Sequence, residues 1–125
     1  LERFVNRINL VGCYARVSSD SEDQLNSYNN QVDFYESYVN SLENSKLVKI
    51  YTDEGITGTR MDKRDGFLQM IEDCRKGLIN RIITKSISRF ARNITETLSV
   101  VRELKSIGVS VYFMTEKIRY SKNGK

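Results

Sequence analysis

The stretch INLVGCYARV at residues 8–17 is apolar and rich in branched side chains, and the polar residues SSDS follow it at 18–21. An apolar run of this length is typical of a strand buried on both faces of a parallel sheet. Ser19 and Glu22 are three residues apart, which is the spacing of a capping box at the start of a helix. The sequence therefore predicts a buried strand that passes almost directly into a helix.

The rest of the chain repeats this alternation. Apolar, β-branched runs predict further strands at residues 47–52, 81–85 and 109–114. Apolar residues at three- and four-residue steps predict three helices, with apolar faces formed by Leu25, Tyr28, Val32, Tyr35, Val39 and Leu42; by Phe67, Met70, Ile71 and Cys74; and by Ile94, Leu98, Val101 and Leu104. Asn93 and Glu96 form a second capping pattern, at the start of the last helix. The order βαβαβαβ predicts an α/β domain with a largely parallel sheet.

Composition limits the class of protein. The chain has 125 residues, 39% apolar and 29% charged, which suits one domain with its own core. Histidine is absent, which excludes mechanisms built on imidazole, such as Ser-His-Asp triads and HExxH zinc sites. Cys13 and Cys74 lack metal-ligand spacing and are too few for a disulfide scaffold. No apolar run approaches the roughly 20 residues that cross a bilayer, so we expect an intracellular protein without a membrane partner.

Charge is distributed unevenly along the chain. Residues 1–62 hold 6 basic and 10 acidic residues, whereas residues 63–125 hold 14 basic and 6 acidic residues, a net charge of +8. Lysine and arginine favour phosphate-bearing partners because binding releases counterions. The pattern indicates a phosphate-bearing partner, although charge alone does not outweigh the plainer interpretation of a solvated basic surface.

The residues that follow the predicted strands have the chemistry of a phosphate site. Parallel strands end at a common edge of the sheet, where α/β proteins bind their ligands. The polar residues expected there are Arg16 and Ser18 after the first strand, Asp53 with Arg60 and Arg64 after the second, and Ser88, Arg89 and Arg92 after the third. Several arginines around one point suit a phosphodiester in its transition state, because each guanidinium matches a pair of phosphate oxygens. The sequence predicts a polar loop at 53–63, which begins with Asp53. Because histidine is absent, the group that accepts the serine proton could be Asp53, a network polarised by arginine, or water.

Each of these residues also has a plainer interpretation when it is taken alone. Ser18 alone would be a helix cap, and Asp53 an ordinary loop residue or a cap. The plainer interpretations of the others are a solvated helix face for Arg89 and Arg92, a core or half-buried strand position for Tyr14, and a surface helix position for Gln31. Placement after three successive strands is hard to explain in this way. The joint pattern favours a functional site.

Five stretches, in this order, resemble the motifs of one known family. They are YARVS at 14–18, Gln31 on the first helix, DEGITG at 53–58, RDGF at 64–67 and SRFARN at 88–93. Together they resemble the catalytic domain of the serine recombinases, the resolvase/invertase family. The resemblance implies a three-layer α/β domain with a mostly parallel sheet of four to five strands flanked by helices.

The resemblance also implies roles for individual residues. Ser18 is similar to the nucleophile that forms a 5′-phosphoserine link to DNA, and Asp53 to an acidic residue that positions arginines or transfers a proton. The remaining matches are the phosphate-binding arginines Arg16, Arg64, Arg89 and Arg92, and the supporting residues Tyr14 and Gln31. The expected reaction uses no metal or other cofactor. The expected partners are DNA and further copies of the chain, in a homodimer or homotetramer of the full-length protein.

One position departs from the family pattern. Ser88 precedes Arg89 where small resolvases commonly carry aspartate, so Ser88 cannot supply that carboxylate. The segment KSISRFARN at 85–93 resembles the large serine recombinases more than the small resolvases. The large serine recombinases include phage integrases and transposases of mobile elements. We therefore expect residues 1–125 to be an N-terminal catalytic domain, without the C-terminal part and DNA-binding domains, of a cytoplasmic protein encoded by a bacterium or phage.

Three other functions are compatible with parts of this pattern. The basic half would also suit a non-enzymatic α/β module that binds nucleic acid. A regulatory domain for a nucleotide is less well supported, because the chain has neither a Walker lysine loop nor a G-x-G-x-x-G motif. A metal-dependent nuclease would be sensitive to EDTA, but no carboxylate pair has obvious metal spacing.

Overall fold

The computed structural model describes residues 8–18, 21–55, 64–91 and 94–121, and at 17–18, 21–27, 54–55 and 88–89 it describes the backbone alone. Strands and helices alternate along the chain, as the sequence predicts. The elements are β1 (Asn9–Ser18), α1 (Ser21–Asn40), β2 (Ser45–Gly55), α2 (Asp65–Arg75), β3 (Arg81–Thr84), α3 (Ile87–Phe90), α4 (Ile94–Ser106), β4 (Ser110–Phe113) and β5 (Ile118–Tyr120).

The strands form one sheet in the order β2-β1-β3-β4-β5. The first four are parallel, and β5 pairs antiparallel with β4. The expected sheet of four to five mostly parallel strands is therefore confirmed. β1 lies between β2 and β3, so its backbone is paired on both sides and its apolar run is buried.

Helices cover both faces of the sheet and give the domain three layers. On β1, Val11, Cys13 and Ala15 join the core beneath α1, whereas Tyr14 joins the core beneath α2 and α4. Both cores contain fully buried side chains, which explains why β1 lacks the polar alternation of a half-exposed strand. Burial raises the pKa of both thiols, Cys13 and Cys74, to about 12.

The predicted apolar faces are confirmed for α2 and only in part for α1 and α4. Phe67, Met70, Ile71 and Cys74 are all buried. On α1, Tyr35 and Val39 are buried, but the side chain of Tyr28 is 37% exposed. The predicted capping residue Ser19 and the side chain of Leu25 lie outside the described part of the structure.

On α4 the predicted face is wrong by part of a turn. Ile94 and Leu98 are 61% and 38% exposed, whereas Thr97 is buried with Val101 and Leu104. The buried residues still recur at steps of four and three, so the period was predicted correctly. Val101 and Leu104 are on the buried face as predicted, whereas Thr97 takes the place expected for Ile94 and Leu98. Periodicity identifies a helix, but the packing of the helix on its sheet selects the buried side.

The prediction of a polar loop at 53–63 is wrong for residues 53–55, and residues 56–63 lie outside the described part of the structure. β2 continues to Gly55, because its residues stay in register with β1, with Arg16 opposite Asp53 and Ser18 opposite Gly55. Asp53 is consequently a buried strand residue, 8% exposed. The residues that follow β3 form the short helix α3, which the sequence pattern did not predict, and β5 was not predicted from its three residues.

Gly66 allows α2 to approach β2 closely. A Cβ atom at this position would lie 2.3 Å from the backbone oxygen of Thr52, closer than real Cβ contacts. Glycine therefore sets the separation between the start of α2 and the end of β2. No helix in the described part of the chain is long and apolar enough to cross a membrane.

Candidate active site at the carboxyl edge of the sheet

The order of the strands identifies the edge where a ligand is expected. From β1 the chain moves outward to β2, and from β3 it moves outward to β4 on the other side. Neighbouring connections therefore diverge at the carboxyl ends of β1 and β3, which opens a crevice of the kind that binds ligands in α/β proteins. Ser18 is the last residue of β1, and α3 begins three residues after the end of β3.

Asp53 joins three parts of this edge through its carboxylate. Its Oδ1 accepts a hydrogen bond from the backbone N–H of Gly66 (2.7 Å), and its Oδ2 accepts one from Phe67 N–H (2.9 Å). The hydroxyl of Tyr14 donates to the same Oδ2 at 2.7 Å. Burial and then Asp53 raise the pKa of Tyr14, so the phenol stays protonated and remains a donor.

These contacts make Asp53 the cap of α2. Arg64, the residue before the helix, makes no side-chain capping bond, so the carboxylate on β2 takes that part. A negative charge is favourable there because free N–H groups and the helix dipole make a helix N-terminus positive. The capping interpretation of Asp53 is thus confirmed, although the cap acts on a helix distant in sequence.

Arg64 is held directly beside this network. Its side chain is 10% exposed, and the guanidinium carbon lies 3.9 Å from the ring centroid of Phe67 and 5.8 Å from that of Tyr14. Nη2 donates to the carbonyl oxygen of Phe90, at the end of α3, and Nη1 lies 3.5 Å from Oε1 of Glu96 on α4. Nε is buried and has no acceptor among the described residues.

The backbone of β1 is fixed around the remaining candidates. Gln31 donates from Nε2 to the carbonyl oxygen of Arg16 at 3.4 Å, which ties α1 to the end of β1. The hydroxyl groups of Tyr35 (3.0 Å) and Thr84 (3.1 Å) both donate to the carbonyl oxygen of Tyr14. The structure therefore places Gln31 against the end of β1, and its supporting role in the reaction stays a prediction.

The structure thus brings Tyr14, Arg16, Gln31, Asp53 and Arg64 together around the ends of β1 and β2. The backbone of Ser18 ends β1 and that of Arg89 lies in α3, but their side chains fall outside the described set. Arg92 lies outside it entirely. Among the described residues, no group of three His, Cys, Asp or Glu side chains could hold a metal ion.

Sequence reasoning missed Glu96 as a member of this site. The available signal, a glutamate three residues after Asn93, was interpreted as a capping box. That interpretation concerns contacts within one helix, whereas the ion pair with Arg64 joins residues 32 positions apart. Tyr35 and Thr84 were also missed, because their hydrogen bonds to the Tyr14 carbonyl oxygen join residues 21 and 70 positions apart.

Residues 11–125 match the protein family described as Resolvase, N terminal domain. The chain belongs to this family. The family predicted from the five motifs is therefore confirmed. The resolvase of transposon Tn552 from Staphylococcus aureus is 30% identical over 116 residues, which cover 88% of this chain and 48% of that relative. The chain thus spans about half the length of this curated relative.

Solved structures support the same fold. The N-terminal catalytic domain of TP901-1 integrase superposes with a TM-score of 0.70, at 21% identity, over 89% of this chain and 81% of that one. A serine recombinase from Sulfolobus solfataricus gives a TM-score of 0.63 at 28% identity, over 85% and 68% of the two chains. The resolvase-like α/β fold is therefore shown. Together with the family match and the Tn552 relative, it does not favour the non-enzymatic binding module.

Proposed function

We propose that this chain is the catalytic domain of a serine site-specific DNA recombinase in which Ser18 is the nucleophile. Membership of the resolvase family over residues 11–125 supports the reaction class. The observation that carries the assignment is that Ser18 is the last residue of β1, at the carboxyl edge of the sheet. Tyr14, four residues earlier on the same strand, is bound to Asp53, which in turn holds the start of α2 beside Arg64.

The proposed reaction exchanges one phosphodiester for another. The Ser18 hydroxyl oxygen attacks the phosphorus, the bond from phosphorus to the 3′ oxygen breaks, and the DNA 5′ end becomes linked to serine. The serine proton leaves to an acceptor, and the departing 3′ oxygen takes up a proton to become a hydroxyl. Attack of a 3′ hydroxyl on the phosphoserine reverses these steps, so rejoining in a new arrangement needs no ATP.

The arginines of the site are proposed to stabilise the transition state. Negative charge on the non-bridging oxygens is best met by preorganised donors in a site of low solvent access. Arg64 meets this requirement, because its guanidinium is largely buried and retains an Nε donor without an acceptor among the described residues. Arg16, Arg89 and Arg92 are proposed to complete the phosphate contacts.

Asp53 is proposed to position these groups rather than to accept the proton of Ser18. Both of its oxygens already accept hydrogen bonds, from two backbone N–H groups and from Tyr14. If Asp53 took up a proton, one of its carboxylate oxygens would carry an O–H group. That O–H would face a hydrogen-bond donor, which is Gly66 N–H, Phe67 N–H or the Tyr14 hydroxyl. The geometry therefore supports a structural role for this carboxylate in the reaction.

DNA is the substrate implied by the family, and the +8 charge of residues 63–125 suits its phosphates. We further propose that strand exchange takes place in a homotetramer assembled from homodimers, because four strands must be cut and rejoined. The Tn552 relative comes from a bacterial transposon, which supports a bacterial or mobile-element origin. We propose that the protein acts in the cytoplasm.

The test uses the protein in its natural full length with suicide DNA substrates that carry candidate recombination sites, in EDTA. Mass spectrometry of tryptic peptides should find a nucleotide adduct on the peptide that contains Ser18. Ser18→Ala should abolish the adduct, whereas Ser19→Ala should retain it. The neighbouring serine is a matched control, since both changes remove one hydroxyl from the same segment.

Two outcomes would overturn the proposal. A substrate that is bound but yields neither adduct nor cleavage would indicate a non-enzymatic DNA-binding module. An adduct that persists in Ser18→Ala but disappears in Ser19→Ala would assign the nucleophile to the neighbouring serine.

A further inference from the structure

Arg64 needs its orientation fixed, because a guanidinium is useful to a phosphate only when its donors lie in the right plane. The face of Phe67, 3.9 Å from the guanidinium carbon, restrains movement out of that plane. The carbonyl oxygen of Phe90 accepts from Nη2 and fixes one point within the plane. One contact in the plane still allows the group to pivot about that bond.

Glu96 supplies the second contact in the plane. Its Oε1 lies 3.5 Å from Nη1, and its side chain is 38% exposed, whereas that of Arg64 is 10% exposed. Glu96 belongs to the first turn of α4, and Phe90 ends α3, so the two contacts come from different elements. Nη1 and Nη2 each make one of these hydrogen bonds, whereas Nε is buried and is the guanidinium nitrogen with no acceptor among the described residues.

We propose that Glu96 is a positioning residue that holds the Arg64 guanidinium in the orientation in which Nε meets a non-bridging oxygen of the scissile phosphate. This inference rests on the proposed recombinase function. It gives a role in the site to Glu96, which lies outside all five sequence motifs. Glu96 acts through Arg64 and does not touch the phosphate. Its loss leaves the guanidinium attached at Phe90 but free to turn.

A second ion pair, which joins α2 to α4, provides the control. Glu103, also on α4, binds Arg75 on α2 through Oε2, at 2.8 Å from Nε and 2.7 Å from Nη2. These two side chains are 43% and 50% exposed. The Glu103–Arg75 pair joins α4 to α2, and the Glu96–Arg64 pair joins α4 to the residue that precedes α2. Only the Glu96–Arg64 pair lies beside the candidate site.

The experiment compares Glu96→Ala, Glu96→Gln and Glu103→Ala in the natural full-length protein. The measured quantities are the single-turnover rate of the Ser18–DNA adduct on a suicide substrate, the DNA dissociation constant and the melting temperature. Glu96→Ala should slow adduct formation about 10- to 100-fold, the range expected for a misplaced catalytic group. Its DNA affinity and melting temperature should change no more than those of Glu103→Ala.

The conservative variant and a double mutant separate positioning from a general structural role. Glu96→Gln keeps an acceptor oxygen at the same place and should recover most of the lost rate. In an Arg64→Ala background, Glu96→Ala should cause no further slowing, because the residue it positions is gone. Equal rates for Glu96→Ala and Glu103→Ala, a Gln variant as slow as the Ala variant, or additive losses in the double mutant would each overturn the proposal.

A measurement without DNA keeps this test distinct from that of the proposed function. With arginine labelled at ¹⁵Nε, hydrogen exchange at Nε of Arg64 should be slow in the wild type and in Glu103→Ala, and clearly faster in Glu96→Ala. Unchanged exchange would refute the positioning role even if recombination is confirmed. A wild-type protein that forms no adduct would refute the proposed function, whatever the exchange rates are.

Discussion

Replacement of Asp53 by asparagine should destabilise the domain by about 2–4 kcal/mol, although the side chain keeps its size. The carboxylate accepts from Gly66 N–H, Phe67 N–H and Tyr14 Oη. If the new amide oxygen takes the place of Oδ2, it retains Phe67 and Tyr14, and the NH₂ group faces the N–H of Gly66. One charge-assisted hydrogen bond is lost and a largely buried donor is left opposed, which costs about 1.5–3 kcal/mol.

The loss of charge adds to this cost. A carboxylate at a helix N-terminus contributes about 0.3–1 kcal/mol, and more when it is partly buried, as Asp53 is at 8% exposure. The opposite orientation of the amide is worse, because the NH₂ group would then face Phe67 N–H while the hydroxyl of Tyr14 would have to reverse. The lower estimate therefore belongs to the first orientation.

The assay is urea denaturation at pH 7, followed by circular dichroism, with Asp65→Asn as the control. Asp65 is an exposed acidic residue in the first turn of the same helix, so its change removes an equal charge without a buried carboxylate cap. We expect the control to lose less than about 0.5 kcal/mol. A loss for Asp53→Asn within that range would refute the conclusion that this carboxylate holds α2 to β2.

Three further changes test other features of the fold. Gly66→Ala should lose about 3 kcal/mol in the same assay, because its Cβ would meet the backbone of β2. Gly77→Ala should lose about 1 kcal/mol, because that position has open space and its cost comes from a φ of +81°. Equal losses for the two variants would contradict this argument. Tyr51→Phe removes the 2.6 Å hydrogen bond that chiefly lowers the pKa of Asp73 below 3.8. The loss of unfolding free energy, measured by urea titration at several pH values, should be largest near pH 6 and should shrink as the pH falls through the lowered pKa of Asp73. A loss that is the same at every pH would exclude this linkage. Arg81→Met should raise stability by about 0.5–1 kcal/mol because the buried Nε of Arg81 has no acceptor among the described residues, and a measured loss would disprove the argument.

Local patterns predicted the elements of this fold well. The apolar runs at β1 and β3 and the buried face of α2 follow directly from residue type and spacing. These features depend on neighbours in sequence, so a window of a few residues contains the necessary information. β5 was missed because the three residues IRY carry too little pattern, and the strand forms only by pairing with β4.

The site was predicted as a set of residues but not as a set of contacts. The rule that parallel strands end at one edge of the sheet predicted that Asp53 and Arg64 lie close together, and the family resemblance added Tyr14. In the structure these three residues are neighbours. The sequence left open whether Asp53 caps a helix or serves the chemistry, and both alternatives assumed that it lies in a loop. The pairing of Arg16 with Asp53 extends β2 and makes the carboxylate a buried link between strand and helix.

By itself, the sequence determined the alternation of strands and helices, the buried character of β1 and the family to which the chain belongs. Those properties reside in local periodicity and in the order of short motifs. The tertiary structure alone decided which side of α4 is buried, that Asp53 caps α2 across the gap from β2, and that Glu96 meets Arg64. The physical reason is that these contacts join residues 13 to 32 positions apart in the chain, and their geometry depends on how closely whole elements pack.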